Sequence, residues 1–199
     1  MKKQGISILL LLAAFTVLFN ISASGQNYYI KSECGKYLTV QNLSTNSGAA
    51  IVLSDYSAAL AQQWKLVPRS GANGEYIFYI QSVKSGKYLD VIWGKDADGT
   101  KIQLWDFTGG PAQEWTMTTM EGAAFKGKSR IISQVGGKNL DKGGGPCTNN
   151  TPLMIWTRND TSAQMWYFEE VVPARTNIEK ASIPVKISNR PAVTRSLRN

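Results

Sequence analysis

The 199-residue sequence contains no histidine and only two cysteines. Without histidine, neither a Ser/His/Asp nor a Cys/His catalytic set can form, because both use imidazole as the general base. Cys34 and Cys147 lie far apart in the sequence, and neither has a second cysteine nearby to complete a zinc site. We therefore expect no metal, no cofactor and no enzymatic activity. The two cysteines form either one disulfide or two small apolar side chains.

An excess of either charge sign is also lacking over most of the chain. The formal net charge is +8, but residues 26–171 hold 14 basic and 13 acidic side chains. Residues 172–199 hold six basic side chains against one acidic. A nucleic-acid-binding domain carries its basic residues on the folded surface. The basic character here belongs to a tail with three prolines and no aromatic residue, so we expect a flexible tail and no nucleic-acid partner.

Long apolar runs are absent except at the N-terminus. Lys2 and Lys3 precede the apolar run Ile6–Phe19, and small residues then precede Gln26. This order is typical of a cleavable secretory signal peptide, and the run is short for a membrane span of about 20 residues. We predict a signal peptide at 1–25, a mature chain that starts at Gln26, and secreted or periplasmic localisation. No membrane span is expected after cleavage.

One pattern occurs three times at a fixed interval. Gln-x-Trp stands at Gln62, Gln113 and Gln164, which are 51 residues apart. The same interval separates four further sets: Trp64, Trp115 and Trp166; Gly35, Gly86 and Gly137, each followed by Lys; Leu38, Leu89 and Leu140; and Ile51, Ile102 and Leu153. An interval kept at so many positions identifies three repeats of one supersecondary unit.

Each repeat has the pattern of four short strands. Apolar, β-branched runs of about four to six residues alternate with turns rich in Gly, Asn, Ser and Asp, and helical periodicity is lacking. First strands are predicted at 28–32, 78–82 and 130–134, and second strands lie around the repeated Leu. Third strands lie in "AAIVLS", "TKIQLW" and "PLMIWT", and the fourth in the Gln-x-Trp segments. A unit this small cannot bury its own apolar face, so the three units must share one core.

The Gln-x-Trp segment is interpreted as structural. Alternate side chains share one face of a strand. We therefore expect Trp64, Trp115 and Trp166 to point into the common core, where each indole buries about 150–250 Å². The Gln on the same face can then hydrogen-bond a neighbouring loop.

A threefold repeat with Gln-x-Trp in the last strand of each unit resembles the ricin-type β-trefoil lectins. The resemblance covers residues 26–171, where the turns "GKYL", "GKYL" and "GKNL" accompany the three motifs. It implies an all-β β-trefoil with twelve short strands and pseudo-threefold symmetry. In that family, an Asp after the second-strand Leu accepts hydrogen bonds from sugar hydroxyls. An aromatic residue of the third strand stacks on the sugar ring.

The resemblance assigns sugar sites to the second and third repeats. The carried-over positions are Asp90, Gln103, Trp105 and Gln113 in the second repeat, and Asp141, Trp156 and Gln164 in the third. A sugar presents an apolar face of C–H groups and a rim of hydroxyls, which an exposed indole and a carboxylate satisfy. Alternatively, the two indoles pack in the barrel wall and the aspartates form turns. Exposure of Trp105 and Trp156 distinguishes these interpretations.

The repeats also depart from the family pattern. In the first repeat, Thr39 stands in place of the Asp and Ser54 in place of the aromatic residue, so we expect no site there. Met154 replaces the polar residue of the third repeat. The family often has Asn before the Gln, whereas this sequence has Ala at all three positions: Ala61, Ala112 and Ala163. Trp93 either widens the second site or covers its loop.

Together these features predict a secreted, non-catalytic carbohydrate-binding protein, monomeric, with a glycan or polysaccharide as its partner. Paired carboxylates could hydrolyse a glycoside, but Asp90 and Asp141 belong to separate repeats. The alternative is a protein-binding β-trefoil, an inhibitor or an accessory module, that has lost sugar binding. The three alanines keep that alternative open, because a fold does not determine a function.

Overall fold

The described residues form twelve short antiparallel strands, which confirms the predicted all-β fold. This computed structural model describes residues 26–70, 76–120 and 127–172. The predicted signal peptide and, apart from Val172, the predicted tail lie outside the described residues. The strands are β1 (Asn27–Ser32), β2 (Tyr37–Val40), β3 (Ile51–Ser54), β4 (Gln63–Ser70), β5 (Tyr76–Ser82), β6 (Tyr88–Val91), β7 (Ile102–Trp105), β8 (Glu114–Thr119), β9 (Ser129–Ser133), β10 (Asn139–Asp141), β11 (Met154–Trp156) and β12 (Trp166–Glu170).

The first and fourth strands of the three repeats close into a six-stranded barrel. Strand β1 pairs with both β4 and β12. The remaining contacts run from β4 to β5, from β5 to β8, from β8 to β9 and from β9 back to β12. All of these pairs are antiparallel. The ring returns to its starting strand, so the barrel leaves no open sheet edge.

The second and third strands of each repeat form a hairpin. The core residues Leu38, Leu89 and Leu140 lie opposite Leu53, Leu104 and Ile155 respectively. Isolated backbone bridges join the hairpins of different repeats, at Ala50–Gln103, Lys101–Met154 and Val52–Pro152. The three hairpins therefore form a triplet, in which the hairpin of each repeat contacts the hairpins of the other two.

The three repeated indoles are completely buried, as the sequence predicts. Trp64, Trp115 and Trp166 have 0% of their surface exposed. Each indole Nε1–H donates to the main-chain carbonyl of the second-strand Leu in its own repeat, at 3.0 Å (Leu38), 3.3 Å (Leu89) and 3.0 Å (Leu140). Because a buried N–H is costly without an acceptor, this bond fixes the position of the fourth strand relative to the second.

The Gln of each motif lies outside the strand, contrary to the prediction. Gln62, Gln113 and Gln164 are the last residues of short 3₁₀ helices at Leu60–Gln62, Pro111–Gln113 and Ser162–Gln164. Each side-chain Oε1 accepts a main-chain N–H five residues earlier, and each Nε2 donates to a carbonyl seven residues earlier. The expected bonding to a neighbouring loop is thus present. A 3₁₀ turn replaces the strand because it turns the amide back into that loop.

A repeated lysine joins neighbouring repeats, and its partners change from one repeat to the next. Lys36 donates to Asp55 (2.6 Å) and to Asn149 of the third repeat (3.0 Å). The equivalent Lys87 pairs with Asp106, which also accepts from Ser47 of the first repeat. Lys138 pairs with Asp98 of the second repeat at 3.2 Å and donates to Thr157 at 3.1 Å. We call these three sets the lysine staples.

The two cysteines form a disulfide, an outcome that the sequence left open. Cys34 follows β1, and Cys147 lies in the loop between β10 and β11, with Cα atoms 6.2 Å apart. The bond therefore ties the first repeat to a loop of the third. Within the described residues, no helix is long and apolar enough to cross a membrane.

Candidate functional site

The second repeat carries a shallow surface cavity of about 240 Å³. Its lining residues are Asp90, Trp93, Gly94, Gln103, Trp105, Thr108 and Ala112. Hairpin β6–β7 supplies the acid, the amide and one indole, and the 3₁₀ turn before β8 supplies Ala112. The structure thus brings together Asp90, Gln103 and Trp105, which the sequence assigned to one site. Gln113 lies behind the cavity and is fully buried.

Asp90 is a buried carboxylate held by two amides. Its exposed fraction is 5%, and Gln103 lies directly opposite it on β7. Gln103 Nε2 donates to Oδ1 at 2.9 Å, and Gln113 Nε2 donates to Oδ2 at 3.0 Å. Each carboxylate oxygen has a further lone pair, so both oxygens can still accept a hydrogen bond from a ligand hydroxyl. Burial raises the pKa of Asp90, while the bonds from Gln103 and Gln113 act against that rise.

Trp105 presents part of its ring to solvent beside this carboxylate. Its exposed fraction is 36%. A Cβ placed on Gly48 would lie 3.8 Å from Cζ3 of Trp105, so the ring lies against a turn of the first repeat. The main-chain N–H of Gly48 donates to the carbonyl of Leu104 at 2.8 Å, which holds that turn in place. A neighbouring repeat therefore supports the indole, a contact that sequence reasoning missed.

The third repeat carries a corresponding cavity of about 260 Å³. Its lining residues are Asp141, Gly143, Gly144, Trp156, Asn159, Thr161 and Ala163. Asp141 is 2% exposed, whereas Trp156 is 39% exposed. Gln164 Nε2 donates to Oδ2 of Asp141 at 2.9 Å. A Cβ on Gly99 would lie 3.6 Å from Cζ3 of Trp156, so the second repeat supports this indole in the same way.

A main-chain group replaces the amide that the third repeat lacks. Met154 stands where the second repeat has Gln103, and the main-chain N–H of Gly143 donates to Oδ1 of Asp141 instead. Gly143 has a φ of 72°, in the left-handed region, and a Cβ there would lie 3.1 Å from Cε of Met154. Glycine therefore permits the turn that orients Asp141.

The buried glutamines contact the aspartates and not the cavities. Gln113 and Gln164 are 0% exposed, and neither lines its cavity. Each holds one carboxylate oxygen of Asp90 or Asp141 and two main-chain groups of the preceding loop. The Gln of the repeated motif thus orients the acid from behind, in addition to its structural role.

The first repeat has neither a carboxylate nor an indole at these positions. Thr39 is 4% exposed, and its hydroxyl accepts a hydrogen bond from Gln62 at 3.0 Å. The nearby Asp55 is engaged by a lysine staple. Tyr56 packs on Tyr29 and Tyr37, with ring centroids 5.2 Å apart in both pairs. The absence of a sugar site in this repeat stays a prediction.

The alanines that depart from the family pattern line both cavities. Ala112 and Ala163 present methyl groups where an Asn would offer an amide. Thr108 in the second repeat, and Asn159 and Thr161 in the third, add polar groups to the same cavities. Sequence reasoning missed them, although Thr108 and Asn159 are 51 residues apart, five positions before the repeated Gln. Trp93 also lines the second cavity, which favours the interpretation that it widens the site.

Metal-ligand geometry is not found in the described ranges: no three Cys, Asp or Glu side chains lie close enough together to hold an ion. Each described cavity is lined by one carboxylate, by indole and amide groups (three in the second repeat and two in the third) and by small residues. This arrangement suits a neutral ligand that has hydroxyl groups and an apolar face.

Solved structures with the same fold include both a design and natural carbohydrate-related proteins. The designed threefold-symmetric protein ThreeFoil is 26% identical, with a TM-score of 0.66 over 73% of this chain and 99% of its own. The ricin B-like lectin of Macrolepiota procera, solved in complex with lactose, is 26% identical, with a TM-score of 0.59 over 73% and 96%. The exo-β-1,3-galactanase 1,3Gal43A of Clostridium thermocellum is 28% identical, with a TM-score of 0.66, but the match covers 30% of that chain.

A comparison with curated protein sequences finds no match. The sequence profile described as ricin-type beta-trefoil lectin domain-like matches residues 14–105 and 60–156. These ranges include the three Gly-Lys turns, two of the Gln-x-Trp motifs, and Asp90, Trp105, Asp141 and Trp156. The chain belongs to the ricin-type β-trefoil lectin-like family, whose fold supports carbohydrate binding.

Proposed function

We propose that this protein is a secreted, non-catalytic lectin with two shallow sugar sites, one in the second repeat and one in the third. The site residues are Asp90, Gln103 and Trp105 in the second repeat and Asp141 and Trp156 in the third. Gln113 and Gln164 orient the two carboxylates. The first repeat completes the barrel and supports the neighbouring indole.

One observation carries this proposal: a partly exposed indole lies beside a buried, oriented carboxylate in two cavities of similar size. Packing alone would favour a buried Trp, because exposure of its ring forfeits the hydrophobic gain of burial. A buried Asp is costly without partners, and two donors hold each one with an oxygen lone pair still available. Stacking of a pyranose ring on the indole would place its hydroxyls at the carboxylate.

Two sites on one body are useful because each single site is weak. A dissociation constant of about 1 mM corresponds to only about 4 kcal/mol of binding free energy. Binding of one branch of a multivalent glycan raises the effective concentration of the next branch at the second site. We therefore expect polysaccharides or clustered glycans to bind more tightly than free monosaccharides.

The proposal of a non-catalytic protein rests on the spacing of its carboxylates. Glycoside hydrolysis uses two carboxyl groups within about 10 Å across one bond. Asp90 and Asp141 line different cavities, and no second Asp or Glu lines either one. The galactanase match covers under a third of that enzyme, so its activity is not transferred to this chain.

A glycan array followed by calorimetric titration tests the proposal. The best ligand is titrated against wild type, Asp90→Ala, Asp141→Ala and the double variant, with Asp55→Ala in the first repeat as the matched control. We expect each single variant to remove one site, the double variant to remove both, and the control to retain both. Trp105→Ala and Trp156→Ala repeat the test on partly exposed residues, in case loss of a buried carboxylate unfolds the protein.

The array also separates the two candidate functions. A protein-binding β-trefoil would show no glycan binding at millimolar concentration although it is correctly folded. That result, or binding that persists unchanged in the double variants, would overturn the proposal.

A further inference from the structure

The most exposed large hydrophobic side chain in the described part of the chain lies at the second cavity. Trp93 is 91% exposed, compared with 36% for Trp105 in the same cavity. Its ring is not part of the hydrophobic core and does not pack against it. Burial in the fold therefore does not explain the presence of a Trp at this position.

The backbone at Trp93 also disfavours a bulky residue. Its φ is 59°, in the left-handed region, and Gly94 follows with a φ of 58°. A non-glycine residue with positive φ is uncommon, and for a bulky side chain it is a strained conformation. The first repeat has Asn42 at the equivalent position, with a φ of 54°. Asn tolerates this region better than most residues, whereas the Trp of the second repeat adopts it at a backbone cost.

The third repeat has glycine at the same place. Gly144 lies 51 residues after Trp93 and lines the third cavity as Trp93 lines the second. The two cavities otherwise share an Asp, an indole on the third strand and an Ala. The indole of Trp93 is thus the largest side chain that one cavity has and the other lacks.

We infer that the second repeat binds two consecutive sugar units, one stacked on Trp105 and the next on Trp93, whereas the third repeat binds one. The inference rests on the proposed lectin function. A sugar chain presents an apolar face on each ring, and a second exposed indole on the same cavity offers a second stacking surface. An exposed ring that gains a partner only when the ligand is bound accounts for both its exposure and its strained backbone.

Trp93→Gly is the variant that tests this inference. It introduces the residue of the third repeat and removes the strain of positive φ, so the fold should be retained. All proteins in the comparison carry Trp156→Ala, which removes the third-repeat site, so that only the second-repeat site is measured. The probes are lactose, β-1,3-galactobiose, xylobiose and N,N′-diacetylchitobiose, each titrated beside its constituent monosaccharides. Tyr76→Ala, at an exposed aromatic residue that lines neither cavity, is the control.

Trp93→Gly should weaken the best disaccharide by roughly two- to tenfold, the range expected for one aromatic stacking contact. The affinity for its constituent monosaccharide should change by less than about twofold. The control variant should change neither the disaccharide affinity nor the monosaccharide affinity. Equal effects on disaccharide and monosaccharide, or no effect on either, would overturn the inference while leaving the lectin function intact. Failure of the unsubstituted protein, titrated with the same saccharides, to bind any of them would overturn both.

Discussion

At the scale of single residues, one buried glutamine does two tasks in each repeat. Gln113 satisfies two main-chain groups of its loop and holds one oxygen of Asp90. The motif spacing predicts a structural role, and the resemblance predicts a role at the ligand. The structure joins the two: the same amide that completes the turn also orients the acid. In the first repeat the corresponding acceptor is the hydroxyl of Thr39.

Replacement of this glutamine by Leu should cost more stability in the second repeat than in the first. Gln113→Leu removes a hydrogen bond to a buried carboxylate, whereas Gln62→Leu removes one to a neutral hydroxyl. Bonds to charged groups contribute about 1.5–3 kcal/mol and neutral ones about 0.5–1.5 kcal/mol. Urea unfolding at neutral pH should show a difference of about 1 kcal/mol between the two variants. Equal losses would mean that Gln113 does not stabilise the charged form of Asp90.

Binding at the second site should weaken at acid pH, because Asp90 must be ionised for both of its oxygens to accept hydrogen bonds from ligand hydroxyls. Its folded pKa is raised by burial, so it takes up a proton above the pH of about 3.9 at which an ordinary Asp does. For the same reason the ionised form costs stability at neutral pH, and that cost is relieved as pH falls through the folded pKa.

The affinity of a Trp156→Ala protein should therefore fall as pH is lowered through the raised pKa of Asp90. Gln103→Leu removes a donor that favours the carboxylate, so it should move the midpoint of this fall to higher pH. Calorimetric titrations across the acid range measure both midpoints. A midpoint unchanged by Gln103→Leu would contradict the assignment.

At the scale of elements, the strands are predictable and the connections between repeats are not. Strands such as β3 and β7 are confirmed because short apolar, β-branched runs between turn residues carry a local signal. The 3₁₀ turn before each Trp carries no such signal, since the side chain of its last residue, the Gln, bonds the preceding loop and an acceptor on the second strand, 23 residues earlier. The disulfide and the lysine staples join residues far apart in sequence, which only the closed barrel brings together.

The Cys34–Cys147 disulfide should contribute substantially to stability and specifically to the third site. It joins residues that are 113 apart in the sequence. For a closed loop of this order, chain entropy predicts about 4–5 kcal/mol of stabilisation, and measured losses are typically about 2–5 kcal/mol. The loop it holds also supplies Gly143 and Gly144 to the third cavity. Replacement of both cysteines by Ser should lower the denaturation midpoint and weaken the third site. Binding by a Trp156→Ala protein, which reports the second site alone, should survive the same replacement.

The lysine staples should make part of the stability depend on pH. The hydrogen bond from Lys36 holds the pKa of Asp55 below its usual range, and that from Lys87 does the same for Asp106. Because these folded pKa values are lowered, the stabilisation is complete above the unfolded value of about 3.9 and is lost as pH falls through the folded values.

A protein with both Lys36→Met and Lys87→Met should therefore lose less stability than wild type in this acid range. Thermal unfolding at low ionic strength measures the difference. High salt should shrink it, because the carboxylates of Asp55 and Asp106 are largely solvent-exposed and their ion pairs are screened. A difference that persists in high salt would point to a cause other than the staples.

At the scale of the whole molecule, a symmetric framework carries asymmetric sites. The 51-residue interval is sufficient to predict the threefold fold, because three fully buried indoles and the strands around them obey it. The residue types of the sites differ between repeats at Thr39, Trp93 and Gly144, none of which belongs to the hydrophobic core. The sequence reveals these differences, but their meaning depends on which side chains share a cavity. Repeat contacts such as Gly48 beneath Trp105 depend on closure of the barrel.

The most direct test of the account is the number of sugar molecules bound per chain, measured by calorimetry with the best monosaccharide found on the array. Wild type should bind two, Trp105→Ala and Trp156→Ala one each, and the double variant none, while all four proteins still unfold cooperatively on heating. The predicted absence of a first-repeat site requires that no third sugar bind. Saccharide binding that persists in the folded double variant would contradict the two-site account.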